Sequence, residues 1–287
     1  MRNTAVLILF WWLAAFASMG QAARKVTELG SSPGQVDVQY RFQDDSVTLN
    51  EPVVLLFSVH NGLSEPITLT LGGGKTQFFQ FSLRTPDGRT LQNSRNPGDY
   101  VDVVIFGPIK TTVLPGADYQ QPILVNEWFR FEIVGTYTLT GQLTNGIEAS
   151  EGAVLRSPEK TARLQVRPRN AARLESVCAT LARKVQDSLA VEEWQFPARM
   201  LSSINDPIAV PYLDQVLATN SGTSYLVVPA LERIGNDAAV NVMLGALRDT
   251  SGDVASTARQ SLRRIQDRTE SPSLKERIRQ ALVPRTD

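Results

Sequence analysis

The chain has 287 residues, 29 of them basic and 29 acidic, with one histidine and one cysteine. Its charge balance leaves no electrostatic footprint for nucleic acid or for an anionic membrane surface. The lone His60 and Cys178 cannot build a zinc site that needs several such ligands.

The first segment reads as an address and not as part of the fold. Arg2 precedes an apolar run from Ala5 to Met19, and Gly20-Gln21-Ala22 offers small residues where a signal peptidase cuts. Residues 1–23 are therefore expected to be a secretory signal peptide. A retained anchor is the other reading, but a span needs about 20 apolar residues. The mature chain is expected to be exported, periplasmic or extracellular, with no later membrane span. Its poverty in cysteine suits a bacterial envelope, since an exported chain with Cys178 alone forms no internal disulfide.

From Val36 to Val166 the hydrophobic period is two. Val36, Val38, Tyr40 and Phe42 alternate with Asp37, Gln39 and Arg41, and Leu55-Phe57-Val59, Ile67-Leu69-Leu71 and Phe79-Phe81-Leu83 continue the pattern. Val101-Val103-Ile105, Phe129-Phe131-Ile133, Tyr137-Leu139 and Leu164-Val166 complete it. Strict alternation buries one face of each strand and wets the other, which is antiparallel sheet behaviour. Turn residues punctuate the runs at Asn61-Gly62, Pro86-Asp87-Gly88, Asn96-Pro97-Gly98 and Pro115-Gly116. Seven to nine short strands are expected, arranged as a two-sheet sandwich over 24–168. Gly135-Thr136-Tyr137-Thr138-Leu139 resembles the tyrosine corner of immunoglobulin-like domains. The resemblance implies that the Tyr137 hydroxyl ties back to upstream backbone, in a relative with Leu139 in place of the second disulfide cysteine.

After Arg167-Pro168 the period becomes helical. Asn170 or a neighbour caps a long helix to about Ser188, with Leu174, Cys178, Leu181 and Val185 along one face. Short helix pairs follow, broken at Asn205-Asp206-Pro207, Asn220-Ser221-Gly222, Gly235-Asn236 and Ser251-Gly252, and a last helix spans about Ser273 to Leu282. Asp206-Pro-Ile-Ala-Val-Pro-Tyr-Leu213 is echoed by Asn236-Asp-Ala-Ala-Val-Asn-Val-Met243. Leu201 to Ile204, Leu231 to Ile234 and Leu262 to Ile265 recur as well. A period of about thirty residues made of helix pairs means a stacked array over 169–287.

These phrases resemble short HEAT-like repeats of the kind found in many bacterial proteins and in phycobilin lyases. Asp206, Ala209, Val210, Pro211 and Leu213 match the first helix of the family unit, while Val254, Ala258, Leu262 and Ile265 match the second. Ala230, Leu231 and Ile234 match it in the preceding unit. The usual arginine is replaced by Trp194, Ser224 and Ala255, so the resemblance implies stacking through Leu, Ile and Ala and not a family arginine ladder. The expected fold is thus all-β plus all-α: an immunoglobulin-like antiparallel β-sandwich followed by a short HEAT-like α-solenoid.

Signs of chemistry read as structure. Gly72 to Thr76 lacks the glycine that a phosphate loop needs six residues before Lys75, and it lies between strands. Glu192-Glu193 suits a helix start, Asp44-Asp45 a turn, and Asp99 with Asp102 supplies too few oxygens for calcium. His60 fits a hairpin shoulder and Cys178 a buried apolar stripe. The basic cluster Arg259, Arg263, Arg264, Arg268, Lys275, Arg277 and Arg279 is interrupted by Asp267, Glu270 and Glu276 and reads as a solvated helix face. No catalytic residue, cofactor or metal ligand is expected. The composition and repeats point instead to non-catalytic binding of a protein partner, with Arg199, Glu232, Arg233 and Arg263 on the second helices as candidate contacts. A carbohydrate-binding or adhesion module is the alternative, using Trp128, Tyr119 and Tyr100 as an aromatic platform.

Overall fold

The computed structural model describes residues 26–28, 35–72, 78–92, 108–149, 153–249 and 252–283. The proposed signal segment and the turn at 96–98 lie outside the described residues. So do the alternating run at 101–105, Lys75 and Thr76, and Asp99, Tyr100 and Asp102.

Alternation of apolar and polar side chains yields thirteen short strands among the described residues. They are β1 (Val26–Glu28), β2 (Val36–Phe42), β3 (Ser46–Thr48), β4 (Val54–Asn61), β5 (Ile67–Gly72), β6 (Phe79–Arg84) and β7 (Thr90–Gln92). β8 (Pro108–Val113), β9 (Asp118–Leu124), β10 (Gly135–Leu143), β11 (Ile147–Glu148), β12 (Val154–Arg156) and β13 (Lys160–Arg167) complete the set. They form three sheets, ordered β1-β12-β11-β5-β8, β3-β13-β10-β6-β7 and β2-β4-β9. Pairing is antiparallel except for β1 on β12 and β3 on β13. The count exceeds seven to nine because β1, β3, β7, β11 and β12 span only two or three residues, too few to show a period.

The sheets close on one core. Tyr40 of β2 packs on Phe57 of β4 at a ring separation of 5.4 Å, and Phe57 meets Phe79 of β6 edge-on at 5.0 Å. Ile67, Leu69 and Leu71 of β5 and Leu139 of β10 join the same cluster. The tyrosine corner is present. The Tyr137 hydroxyl donates to the Ile133 carbonyl at 2.9 Å and accepts from the Ile133 N–H at 3.0 Å. One expected strand is absent. Phe129 and Phe131 are buried by irregular chain after a 3-10 turn at Val125–Glu127, and the tyrosine hydroxyl supplies the backbone bonds that a sheet would have given Ile133. The result is an immunoglobulin-like β-sandwich, mainly antiparallel, in three sheets where two were expected.

Helices take over four residues after β13. α1 (Ala171–Asp187), α2 (Val191–Ser203), α3 (Val210–Thr219), α4 (Ser224–Ile234), α5 (Asp237–Ala246), α6 (Gly252–Arg268) and α7 (Pro272–Leu282) follow in order. Asn170 caps α1 by accepting from the Arg173 N–H, Asn236 caps α5 through Ala239, and Asp206 caps the short 3-10 turn that leads into α3 through Ile208. α2, α4 and α6 pack on one another in succession, and α1, α3, α5 and α7 form a second row. Leucine, valine and alanine fill the space between the rows, including Leu213, Leu231, Ala258 and Leu262. This seven-helix region therefore stacks as two layers, and α7 closes its far end with Leu274 and Ile278 inward and Lys275, Glu276 and Arg279 outward.

Candidate protein-binding surface

The relation of the two regions is set by a polar junction. The turn Thr48-Leu49-Asn50-Glu51 leaves β3, with Asn50 in the left-handed region at φ 70° that asparagine tolerates. Its groups reach into the helical half. The Thr48 hydroxyl donates to the Pro168 carbonyl at 2.6 Å and accepts from the Asn170 N–H at 2.8 Å. Arg173 of α1 forks onto Glu51 at 2.7 and 2.9 Å, with Glu51 nearly buried. Asp206, whose side chain is 3% exposed, accepts two bonds from Arg169 at 2.6 and 2.9 Å and one from Asn50 at 3.1 Å. Arg169 foremost, then the Ile208 N–H and Asn50, outweigh burial and hold the Asp206 carboxyl below the usual carboxylate range.

The junction continues along the second helices as a series of arginines, each reaching back one unit. Arg199 of α2 binds Glu127 of the sandwich, with its Nε at 2.6 Å. Arg233 of α4 donates to the Ser202 carbonyl of α2. Arg264 of α6 forks onto Glu232 of α4 at 2.7 and 2.9 Å, and Arg268 donates to the Glu232 carbonyl. Burial pushes Glu232 up, but Arg264, the Ser261 hydroxyl and Arg268 outweigh it and leave the carboxyl lowered. Two of these arginines, Arg233 and Arg268, sit in the last turn of their helices, where cations meet the negative end of the helix dipole. A cross-repeat ladder thus exists, from positions other than the family's. Its first rung is the sandwich, which stands where an earlier repeat would.

The four candidate contacts are therefore placed unequally. Arg199, Glu232 and Arg233 bind groups within the chain, while Arg263 is exposed on α6. Trp128 is 4% exposed and packs edge-on against Phe81 at 5.6 Å, so it belongs to the sandwich core. Tyr119 is half-buried with its hydroxyl on Gln121. His60 pairs with Asp118 across β4 and β9 at 2.8 Å. Cys178 is buried, and burial with the charge of Asp206 pushes its thiol up to about 12, so it stays protonated and weakly nucleophilic. Among the described residues no group of three or more His, Cys, Asp or Glu could hold a metal ion, and no helix is long and apolar enough to cross a membrane.

A concave feature among the described residues lies on the other row. An open pocket of about 520 Å³ lies by α3 and α5, lined by Asp214, Leu217, Ala218, Val242, Gly245 and Asp249. Arg248 lines it too. The periodicity had no means of revealing this pocket, because it depends on how neighbouring helices are placed. The one local signal was a glycine inside a helical pattern.

No protein-family model and no curated protein matches the chain. Among solved structures, the Pseudomonas fluorescens alkylpurine DNA glycosylase AlkC bound to DNA is similar over 48% of this chain and 32% of its own, at 11% identity and a TM-score of 0.26. The CARDB domain of PF1109 from Pyrococcus furiosus is similar over 46% of this chain and 94% of its own, at 10% identity and a TM-score of 0.25. The sporulation control protein Spo0M from Bacillus subtilis is similar over 50% and 54%, at 12% identity and a TM-score of 0.26. The chain spans about a third of the glycosylase and about half of Spo0M. At scores this low neither fold nor function follows from the likeness, and the fold rests on the topology above.

Proposed function

We propose that the mature chain is an exported, non-catalytic protein-binding scaffold, periplasmic or extracellular, that presents a short HEAT-like solenoid on an immunoglobulin-like sandwich. The observation that carries this reading is the docked, doubly capped helical array. The junction through Asp206, Glu51 and Arg199 holds the helix rows in one orientation to the sandwich loops. A partner then meets a preformed ridged surface, and little ordering entropy is spent on binding. The HEAT-like assignment is supported by the thirty-residue phrases falling at equivalent helix starts and by the two-row packing.

Affinity capture from the native envelope fraction with residues 24–287 tests the reading. It expects specific protein partners that are retained in moderate salt. Retention of glycan or cell wall in place of protein would contradict it and favour adhesion.

A further inference from the structure

We infer that Asn145 is a site of spontaneous chemical modification, where the side-chain amide closes on the Gly146 backbone and is converted to aspartate and isoaspartate. A contrast between Asn61-Gly62 and Asn145-Gly146, the two Asn-Gly pairs of the sequence, carries it independently of the protein-binding reading.

The first pair is held shut. Asn61 is fully buried. Its amide nitrogen donates to the Glu65 and Val113 carbonyls, each at 2.9 Å, and its oxygen accepts from the Leu63 N–H at 3.0 Å. The Gly62 N–H is itself taken by the Gln35 carbonyl at 3.2 Å. Neither the side-chain carbon nor the nitrogen that would attack it is free to move.

The second pair is open. Asn145 is exposed in the bend between β10 and β11. Among the described residues nothing hydrogen-bonds its side chain or the Gly146 N–H. The fold requires the glycine: Gly146 has φ 69°, and a Cβ there would lie 2.5 Å from Val154 Cγ1 and 2.9 Å from the Leu155 carbonyl oxygen. The asparagine before it answers to no such need. The missing Cβ also leaves the Gly146 nitrogen unshielded, and only rotations within the dipeptide separate it from Asn145 Cγ.

Water is the only co-reactant. The Gly146 nitrogen gives up its proton to hydroxide and bonds to Asn145 Cγ. The Cγ–Nδ2 bond breaks, and Nδ2 leaves as ammonia with a proton taken from water. A water molecule then opens the succinimide. Opening at Cγ leaves aspartate, whereas opening at the main-chain carbonyl leaves isoaspartate, whose longer backbone runs through Cβ and Cγ. The added length enters beside β11, which joins β12 to β5 by setting Ile147 opposite Leu155 and Leu69. Ile147 is fully buried, so the longer chain shifts a core side chain and loosens the sheet on both sides of β11.

The test ages residues 24–287 in neutral and in mildly alkaline buffer and maps tryptic peptides by mass spectrometry, with enzymatic methylation to count isoaspartate. Conversion is expected at Asn145, faster in the alkaline buffer, while Asn61 stays intact. Unfolding in guanidinium is expected to bring Asn61 to a comparable rate. Asn145→Gln, whose extra carbon demands a larger and slower-closing ring, is expected to fold alike and to lose the signal. Aged wild type is expected to melt below both fresh wild type and aged Asn145→Gln. Asn145→Asp, which adds the charge without the longer backbone, is expected to melt with fresh wild type. Asn145 remaining intact in the folded chain, or both pairs converting at one rate, overturns the inference. Conversion that leaves the melting temperature unchanged, or an Asn145→Asp chain that melts as low as the aged one, overturns the consequence drawn for β11.

Discussion

The sandwich and the solenoid bury their cores by different means. In the sandwich, rings from strands distant in sequence meet, and Tyr40, Phe57, Phe79, Phe81 and Trp128 are linked at separations of 5.0 to 6.0 Å. Among the described residues of the solenoid, Trp194 is the one aromatic ring in the buried set, and the remaining volume is filled by Leu, Val, Ala, Ile, Met and Cys178. A core of distant contacts forms all at once, whereas a stacked array gains stability only from each unit's neighbours. The first unit of an array is its weakest part. Here the sandwich supplies the missing neighbour through Glu127, Glu51 and the turn at Thr48.

Substitutions that load one side of this comparison should be felt on the other. Phe81→Ala removes a fully buried ring and is expected to cost about 3–5 kcal/mol in guanidinium denaturation. If the halves are coupled, the helical transition moves down with it. Asp206→Ala removes a helix cap and the acceptor of Arg169 and Asn50 together. A loss of about 2–3 kcal/mol is expected, with one unfolding transition splitting into two. Arg264→Ala and Tyr137→Phe are each expected to cost about 1 kcal/mol. The first acts on the far end of the solenoid and the second on the sandwich corner, so circular dichroism at helix and sheet wavelengths should distinguish them.

The smallest effect is the pH dependence. Asp206 and Glu232 are held below the usual carboxylate range when folded, so the unfolded chain binds more protons than the folded one in acid. Their contribution is whole above the unfolded pKa and is lost as pH falls through the folded value. Urea midpoints are expected to be flat from pH 7 to about 5 and to drop below about 4, with a shallower drop in Asp206→Asn.

Much of the fold was legible because period and caps are local. Val36 to Phe42 alternates and forms a strand, and Asn170 and Asn236 precede apolar periodic runs and cap helices. Phe129 and Phe131 alternate too yet form no strand, because the tyrosine corner captured the neighbouring backbone. The junction was not legible. Thr48 and Glu51 lie more than a hundred positions from their partners Asn170 and Arg173, in a turn whose residues look solvated when read alone. Asp206 was visible as part of the repeat phrase, but its burial against Arg169 was not. The pocket by α3 and α5 followed from neither period nor cap.

The most direct test follows unfolding separately in the two halves. After removal of residues 1–23 the chain keeps only Trp128 in the sandwich and Trp194 in the solenoid. In Trp194→Phe and Trp128→Phe variants, fluorescence through increasing guanidinium reports one half at a time, with circular dichroism locating each variant's own shift. A docked and capped array predicts that, within each variant, the single tryptophan and the whole-chain signal share one midpoint. Midpoints that separate, with the solenoid melting independently of the sandwich, would contradict it.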